Sequence, residues 1–298
     1  MDLKQQLEAQ PAVEISAATD AASASDSRPR SPRDELSSYA WLGHIRPSDE
    51  RRAGAGTRDI FDRLAQTAEP ENWDGPFPGQ PGDLGVLKHY VTWRFEQAIN
   101  KGMVLSNADS QLSTFNTGLT TPRQDDIYGL FVPNNRPDRE PWVLKDWRLP
   151  GDRQLETFPE LPVPAAYSED PHEYLFDWDL PLRFSASYVT GSVSHRFPAA
   201  LREIPYGLEL ALETAVARAR KMAMRNPGTA VPMWQTERQE VQLLLPLSLV
   251  NPGKPDAALA ISRADTCYHG VAVVALDKAY NDARLVARPG AHWLSPSR

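Results

Sequence analysis

The chain contains one cysteine, Cys267, among its 298 residues. A single cysteine excludes an intramolecular disulfide, so we expect the fold to depend on its apolar core and the protein to be cytoplasmic. No segment reaches the roughly 18 consecutive apolar residues that a membrane-spanning helix requires, so no membrane association is expected. The N-terminus lacks the basic and then apolar order of a secretion signal, so export is not expected either.

The familiar catalytic motifs are also absent. The chain has no GxxxxGK[ST] phosphate loop, no HExxH, no GxSxG and no CxxC. Its histidines show no close metal-ligand spacing, so no metal site is predicted and the cofactor stays unknown. The net charge of −7 disfavours a broad basic surface for nucleic acids, but it allows a local positive cleft for a small anion. The oligomeric state is left open.

Apolar residues make up 41% of the chain, enough for a sizeable core. Residues 1–35 stand apart, because the Ala-, Ser- and Asp-rich stretch Ala17–Pro32 lacks large apolar side chains. We predict a disordered tail over 1–35 and a single α+β domain over 36–298. An alternative division of that domain has two lobes, about 36–150 and 180–298, joined by a proline-rich segment.

The periodicity of apolar residues predicts the order of elements. Helices come first, then a run of strands, a long helix, more strands and a last helix, an order that favours an α+β fold with mostly antiparallel strands. Doubly wound α/β topology is the alternative. The predicted helices are Thr57–Ala68, Leu84–Asn100, Tyr206–Asn226 and a last one that Asp277 caps and that ends near Val286. The predicted strands are Met103–Ser106, Leu112–Thr117, Ile127–Val132, Trp142–Trp147, Arg183–Val189, Gln239–Val250, Ala257–Ser262 and Gly270–Leu276.

The last predicted helix carries the best indication of function. It directly follows a strand, a geometry that can direct backbone N–H groups at an anion. Asp277, Asn281 and Arg284 share one face at helical spacing. Arg284 could bind a phosphate bidentately while Asn281 contacts a base or ribose and Tyr280 stacks or donates its hydroxyl. Alternatively, Arg284 pairs with Asp277 or another carboxylate inside the fold.

A second candidate is the sequence Asn116-Thr117-Gly118 at the end of a predicted strand. Glycine permits a tight turn with its N–H exposed, and the Asn and Thr side chains can donate to a phosphate or to a base edge. The alternative is a turn that only terminates the strand, where Asn and Gly are common for backbone reasons.

His195 is the best-placed candidate acid–base residue, because it lies in a polar loop between a predicted strand and the long helix. A phosphodiester mechanism would need a partner, and His172 and Asp177 are candidates. The alternative is an exposed loop histidine without a catalytic role.

Lys145 lies between Trp142 and Trp147 on a predicted strand. Strand alternation puts Lys145 and Trp147 on the same face, which could form a stacking platform beside a cation. The alternative is a half-buried strand whose lysine extends past a tryptophan.

Three segments resemble a bacterial family of domains of unknown function. They are Leu276–Val286, Ser113–Leu119 followed by Ile127–Phe131, and Leu243–Leu247. The resemblance extends over roughly Tyr39–Leu294, and Asp282 departs from it where an asparagine is expected. Some members of that family are fused to LOTUS (OST-HTH) RNA-binding modules or to cold-shock domains, so the resemblance implies an RNA or nucleotide context.

The leading hypothesis is therefore a protein that binds a nucleotide or RNA in an anion-binding cleft. The Asn116-Thr117-Gly118 turn and the last helix would form this cleft. The first alternative is a phosphate-directed hydrolase or transferase that uses His195 and acts on nucleotides or RNA ends. The second is a structural or partner-binding module in which these polar residues hold loops together.

Overall fold

A computed structural model of the chain describes residues 36, 38–41, 60–75, 84–136, 139–187 and 206–294. All of them belong to one compact unit, Pro32–Arg298. This part of the chain has an α+β fold, as predicted, with four α-helices and two five-stranded sheets. No helix among these residues is long and apolar enough to cross a membrane. The predicted tail over 1–35 lies outside the described residues.

The first sheet contains β1 (Ala40–Trp41), β2 (Leu105–Ser106), β3 (Ser113–Thr120), β4 (Asp126–Pro133) and β5 (Trp142–Arg148). Its strand order is β1-β5-β4-β3-β2. The pairs from β2 to β5 are antiparallel, as expected for strands joined by short turns, and β1 adds to β5 in parallel.

The second sheet contains β6 (Leu182–Arg183), β7 (Val231–Gln235), β8 (Glu240–Leu247), β9 (Ala257–Arg263) and β10 (Tyr268–Val274). Its order is β6-β10-β9-β8-β7, and only the β6–β10 pair is parallel. The strands β8 and β9 are buried on both faces, so their sequences are nearly continuous apolar runs and do not alternate between apolar and polar residues.

The four described helices are α1 (Ile60–Thr67), α2 (Gly85–Asn100), α3 (Gly207–Arg225) and α4 (Leu276–Val286). The helix α2 packs on β3 and also on α4. The helix α4 packs on β7, and α3 packs on β8. Because α2 and α4 touch each other, they bring the end of the chain next to the first sheet.

Two large groups of buried side chains form the core. The first joins the aromatic residues of the first sheet to α2, α4 and one face of the second sheet. At its centre the Phe95 ring lies 5.1 Å from that of Phe115 and 5.7 Å from that of Phe131. The second group lies between α3 and the opposite face of the second sheet, and Leu212 and Leu245 belong to it.

The predicted and observed strands differ most in two places. The sequence analysis missed β7, in which Pro232 interrupts an apolar run. Proline removes a ladder donor, but β7 is an edge strand, where this loss is tolerated. In the second case, the predicted strand Arg183–Val189 is observed only as the two residues Leu182–Arg183, since Phe184–Ser187 are not strand. Residues 188 and 189 lie outside the described part.

The predicted capping role of Asp277 is wrong. The helix α4 begins one residue earlier, at Leu276, and Ala275 occupies the N-cap position without a side-chain cap. The one residue between the end of β10 at Val274 and α4 is Ala275, whose side chain has no acceptor for capping. Asp277 therefore lies in the first turn, where its negative charge interacts favourably with the helix dipole.

Candidate functional site

A cavity of about 290 Å³ lies where β3 approaches the C-terminal part of α4. It joins two regions that the sequence analysis singled out, since Gly118 and Arg284 both line it. Of the residues predicted to form a cleft between the Asn116-Thr117-Gly118 segment and the last helix, Gly118 and Arg284 line this cavity, whereas Asn116 and Thr117 do not. The cavity lies beside the end of α4, however, and not beside the helix N-terminus that was expected to bind an anion.

Arg284 is a buried cation on the wall of this cavity. Its Nε donates to both carboxylate oxygens of Glu71, at 2.7 and 3.0 Å, and the Tyr280 hydroxyl donates to Glu71 at 3.2 Å. Its guanidinium carbon lies 4.5 Å from the centre of the Tyr90 ring and 5.1 Å from that of Trp73. Burial disfavours the charged guanidinium, but the Glu71 carboxylate outweighs this effect, so the pKa of Arg284 lies above its usual value.

Arg94 is a second, partly buried cation on the same wall. Its Nε donates to the Tyr90 hydroxyl at 3.0 Å, and its Nη1 donates to the Ala165 carbonyl at 2.6 Å. The guanidinium also lies 4.9 Å from the centre of the Tyr167 ring. No carboxylate of the described residues forms an ion pair with it. Because a guanidinium has five N–H donors, Arg94 keeps donors for a ligand.

Trp73 lines the cavity, but its indole N–H is buried. The residue is 5% exposed, and its indole nitrogen has no hydrogen-bond partner among the described residues. A buried polar group without a partner costs about 1–3 kcal/mol. Because this nitrogen is shielded from solvent, it does not provide a donor for a ligand in the cavity.

Gly118 allows the first sheet to approach these cations. Its φ is +69°, a region that favours glycine, and a Cβ there would lie 2.9 Å from the Tyr90 hydroxyl and 3.2 Å from Arg94 Nε. Its N–H donates to Asn116 Oδ1 at 2.9 Å, so this N–H is not exposed to a ligand as predicted.

Asn116 and Thr117 use their side chains within the fold. The Asn116 amide donates to Asp126 and to the Pro162 carbonyl, both at 3.2 Å. The Thr117 hydroxyl donates to the Ile127 carbonyl at 2.7 Å. The β3–β4 register shifts between Asn116 and Thr120, so the strand continues through a bulge where a terminating turn was predicted. This geometry supports a structural role for both side chains.

The other predicted ligand-binding residues on α4, Tyr280 and Asn281, do not line the cavity. Tyr280 is buried and bonded to Glu71, while Asn281 is half-buried. Arg284 does pair with a carboxylate, as the structural alternative expected, but its partner is Glu71 and not Asp277. His195 lies outside the described residues.

Lys145 does not form a stacking platform with Trp147. The β4–β5 register skips Lys145, which is therefore the extra residue of a β-bulge. The bulge breaks the alternation, so Lys145 is exposed while Leu144 and Trp147 are both buried. The Trp147 indole donates to the Ile60 carbonyl at 2.7 Å. The prediction that Lys145 and Trp147 share a face is wrong.

The charges around the cavity favour an anionic ligand. The lining contains three cations, Arg94, Arg284 and Arg288, and two carboxylates, Glu69 and Glu71. The lining is therefore positive by one charge, on a chain of net charge −7. The Glu69 carboxylate also accepts a hydrogen bond from the Gln124 amide. No group of three His, Cys, Asp or Glu side chains that could hold a metal ion occurs in the described ranges.

Comparison with known families places most of the chain in one domain. The model of DUF3825, a domain of unknown function, matches residues 64–293. The chain belongs to this family. The matched DUF3825 region includes every residue that lines the cavity. No match was found in a search of curated proteins or in a search of solved structures.

The sequence analysis missed Arg94 and Tyr90, which both line this cavity. They are four residues apart on α2, a spacing that puts both side chains on one helix face. This spacing could have identified them as a pair. Nothing local indicated that Gly118 contacts them or that Glu71 is the partner of Arg284.

Proposed function

We propose that this protein binds a nucleotide or the end of an RNA chain, with a phosphate group in the cavity beside Arg94 and Arg284. The observation that carries this proposal is the Arg94 guanidinium, which borders the cavity with unused donors and no described carboxylate partner. Phosphate oxygens match the planar arrangement of guanidinium donors and accept from two of them at once.

The other lining groups support the same ligand class. Arg288 adds a second, exposed cation to the lining, whereas the charge of Arg284 is compensated by Glu71. The cavity volume of about 290 Å³ is near the lower end of the roughly 300–1,000 Å³ typical of ligand sites. It therefore suits a phosphate with its attached sugar and cannot enclose a longer chain.

Isothermal titration calorimetry with inorganic phosphate and with AMP tests the proposal. The variant Arg94→Gln removes the charge, and Arg94→Lys keeps it without the planar donor array. Charge-assisted hydrogen bonds contribute about 1.5–3 kcal/mol, so we expect Arg94→Gln to weaken AMP binding roughly 10- to 100-fold. Arg94→Lys should be affected less.

Two further variants of the protein complete this test. Arg238→Gln is the matched control, because Arg238 is exposed on the β7–β8 turn and does not line the cavity. Arg288→Gln removes an exposed lining cation, so it should weaken binding without unfolding the protein. The proposal fails if the wild type binds neither phosphate nor AMP. It also fails if Arg94→Gln is folded, by circular dichroism, and binds AMP as tightly as the wild type.

Catalysis at the phosphate, with His195 as the acid–base residue, remains the alternative prediction. We propose binding in its place because no described contact activates a nucleophile beside the cavity. Incubation of AMP and of 5′-phosphorylated RNA with the protein, followed by chromatography, separates the two. Products that disappear with His195→Ala would favour the enzyme. We further propose that the protein acts in the cytoplasm, in line with its single cysteine.

A further inference from the structure

A second cavity, of about 610 Å³, adjoins the first. The two share Ala287 and Arg288, the residues that directly follow α4. We infer that the ligand has at least two nucleotide units, so that it is the end of an oligonucleotide and not a free mononucleotide. The terminal phosphate unit occupies the smaller cavity, and the adjacent unit lies in the larger one. This inference rests on the proposed function.

The segment shared by the two cavities has an extended backbone. Ala287 has φ −155° and ψ 164°. Pro289 fixes its own φ and restricts Arg288 to extended conformations. A nucleic acid backbone that runs from one cavity to the other would therefore pass along an extended segment of the protein.

Arg288 lies at the place where a linking phosphate would cross. It is exposed, and no described carboxylate forms an ion pair with it. Because it lines both cavities, its guanidinium can reach a phosphate between two nucleotide units. A mononucleotide, whose phosphate lies in the smaller cavity, would leave the larger one empty.

The chemistry of the larger cavity suits a base and not a second free phosphate. Its walls include Trp293, whose indole N–H is fixed by a 2.9 Å hydrogen bond to the Thr229 carbonyl. They also include Leu175 and Met222, which are 62% and 41% exposed. Apolar and aromatic side chains bind the face of a base with little dependence on sequence.

The test compares AMP with the dinucleotide pApA by isothermal titration calorimetry on the wild-type protein. Stacking of a second base, at about 1–3 kcal/mol, predicts that pApA binds at least about 5-fold more tightly than AMP. Gly290→Trp places a bulky side chain on the wall of the larger cavity, because Gly290 lines it and a Cβ there meets no atom within 4 Å. This variant should bring the ratio of the two affinities close to one, and Gly290→Leu provides a smaller substitution at the same position. Glu237→Trp, on the exposed β7–β8 turn, is the matched control and should keep the wild-type ratio.

The outcomes separate this inference from the proposed function. Equal affinity of the wild type for AMP and pApA would overturn the two-unit ligand and leave the phosphate site in place. Tighter pApA binding that neither Gly290 variant reduces would overturn it as well, because the second unit would then lie elsewhere. Failure of both probes to bind would refute the proposed function itself.

Discussion

The ion pair between Glu71 and Arg284 gives the sharpest prediction, for the substitution Glu71→Gln. The side chains are 5% and 8% exposed, and Arg284 Nε contacts both Glu71 oxygens. Removal of one partner from a buried pair costs about 3–5 kcal/mol, because the other charge is left uncompensated. Glutamine keeps one acceptor oxygen, and Arg284 keeps its contacts with the Trp73 and Tyr90 rings. We therefore expect a loss near 3 kcal/mol.

Urea denaturation followed by tryptophan fluorescence measures this loss. For an m-value of about 2–3 kcal/mol/M, a loss of 3 kcal/mol lowers the midpoint by roughly 1 M. Glu169→Gln is the matched control, because the Glu169–Lys101 pair has similar geometry at 3.0 Å but the Glu169 side chain is 84% exposed. Exposed ion pairs contribute about 0–1 kcal/mol, so this control should scarcely change the midpoint.

The same variant connects stability to the proposed ligand. In Glu71→Gln the cavity gains an uncompensated positive charge, so inorganic phosphate should raise the melting temperature of the variant more than that of the wild type. A loss below about 1 kcal/mol, equal to that of the exposed control, would refute the reasoning that this pair is shielded from water. Equal stabilisation of both proteins by phosphate would show that Arg284 does not face the anion.

Two further substitutions test the surroundings of the cavity. Gly118→Ala should lose more stability in urea denaturation than Gly102→Ala. Both glycines have positive φ, at +69° and +67°, but of the two only Gly118 would place a Cβ against another atom, 2.9 Å from the Tyr90 hydroxyl. Equal losses would show that Gly118 and Tyr90 are not tightly packed. Burial raises the pKa of the Asp282 carboxyl above 3.8 although Lys278 opposes this, so the ionised form weakens the fold as pH rises through the folded-state pKa. The stability of Asp282→Asn relative to the wild type should therefore increase between pH 3.8 and neutral pH, and a constant difference in the same assay would contradict this.

Much of the fold could be predicted from local patterns. The long helix α3 was predicted as Tyr206–Asn226 and is observed as Gly207–Arg225, because its apolar residues repeat at helical spacing over five turns. The strand β9 was predicted to within one residue. By contrast, β7 was missed. Its second residue is a proline, which argues against a strand, and the position of β7 at the sheet edge makes that proline acceptable.

The bulges show a second limit of sequence patterns. Alternation assigns the side chains of β3 and β5 to faces only while the strands stay in register with β4. One extra residue at Lys145, and a register shift after Asn116, move the following side chains to the other face. Register depends on the partner strand, so the sequence of a single strand does not contain it.

The sequence by itself determined the α+β class and the membership in DUF3825. It also drew attention to Gly118 and Arg284, but the tertiary structure decided which groups contact them. A buried charge is compensated by whichever group the fold brings near it, and for Arg284 that group is Glu71, 213 residues away along the chain. In the same way, Arg94 reaches the cavity only because α2 packs against both β3 and α4. Such contacts join distant segments, and no local spacing records them.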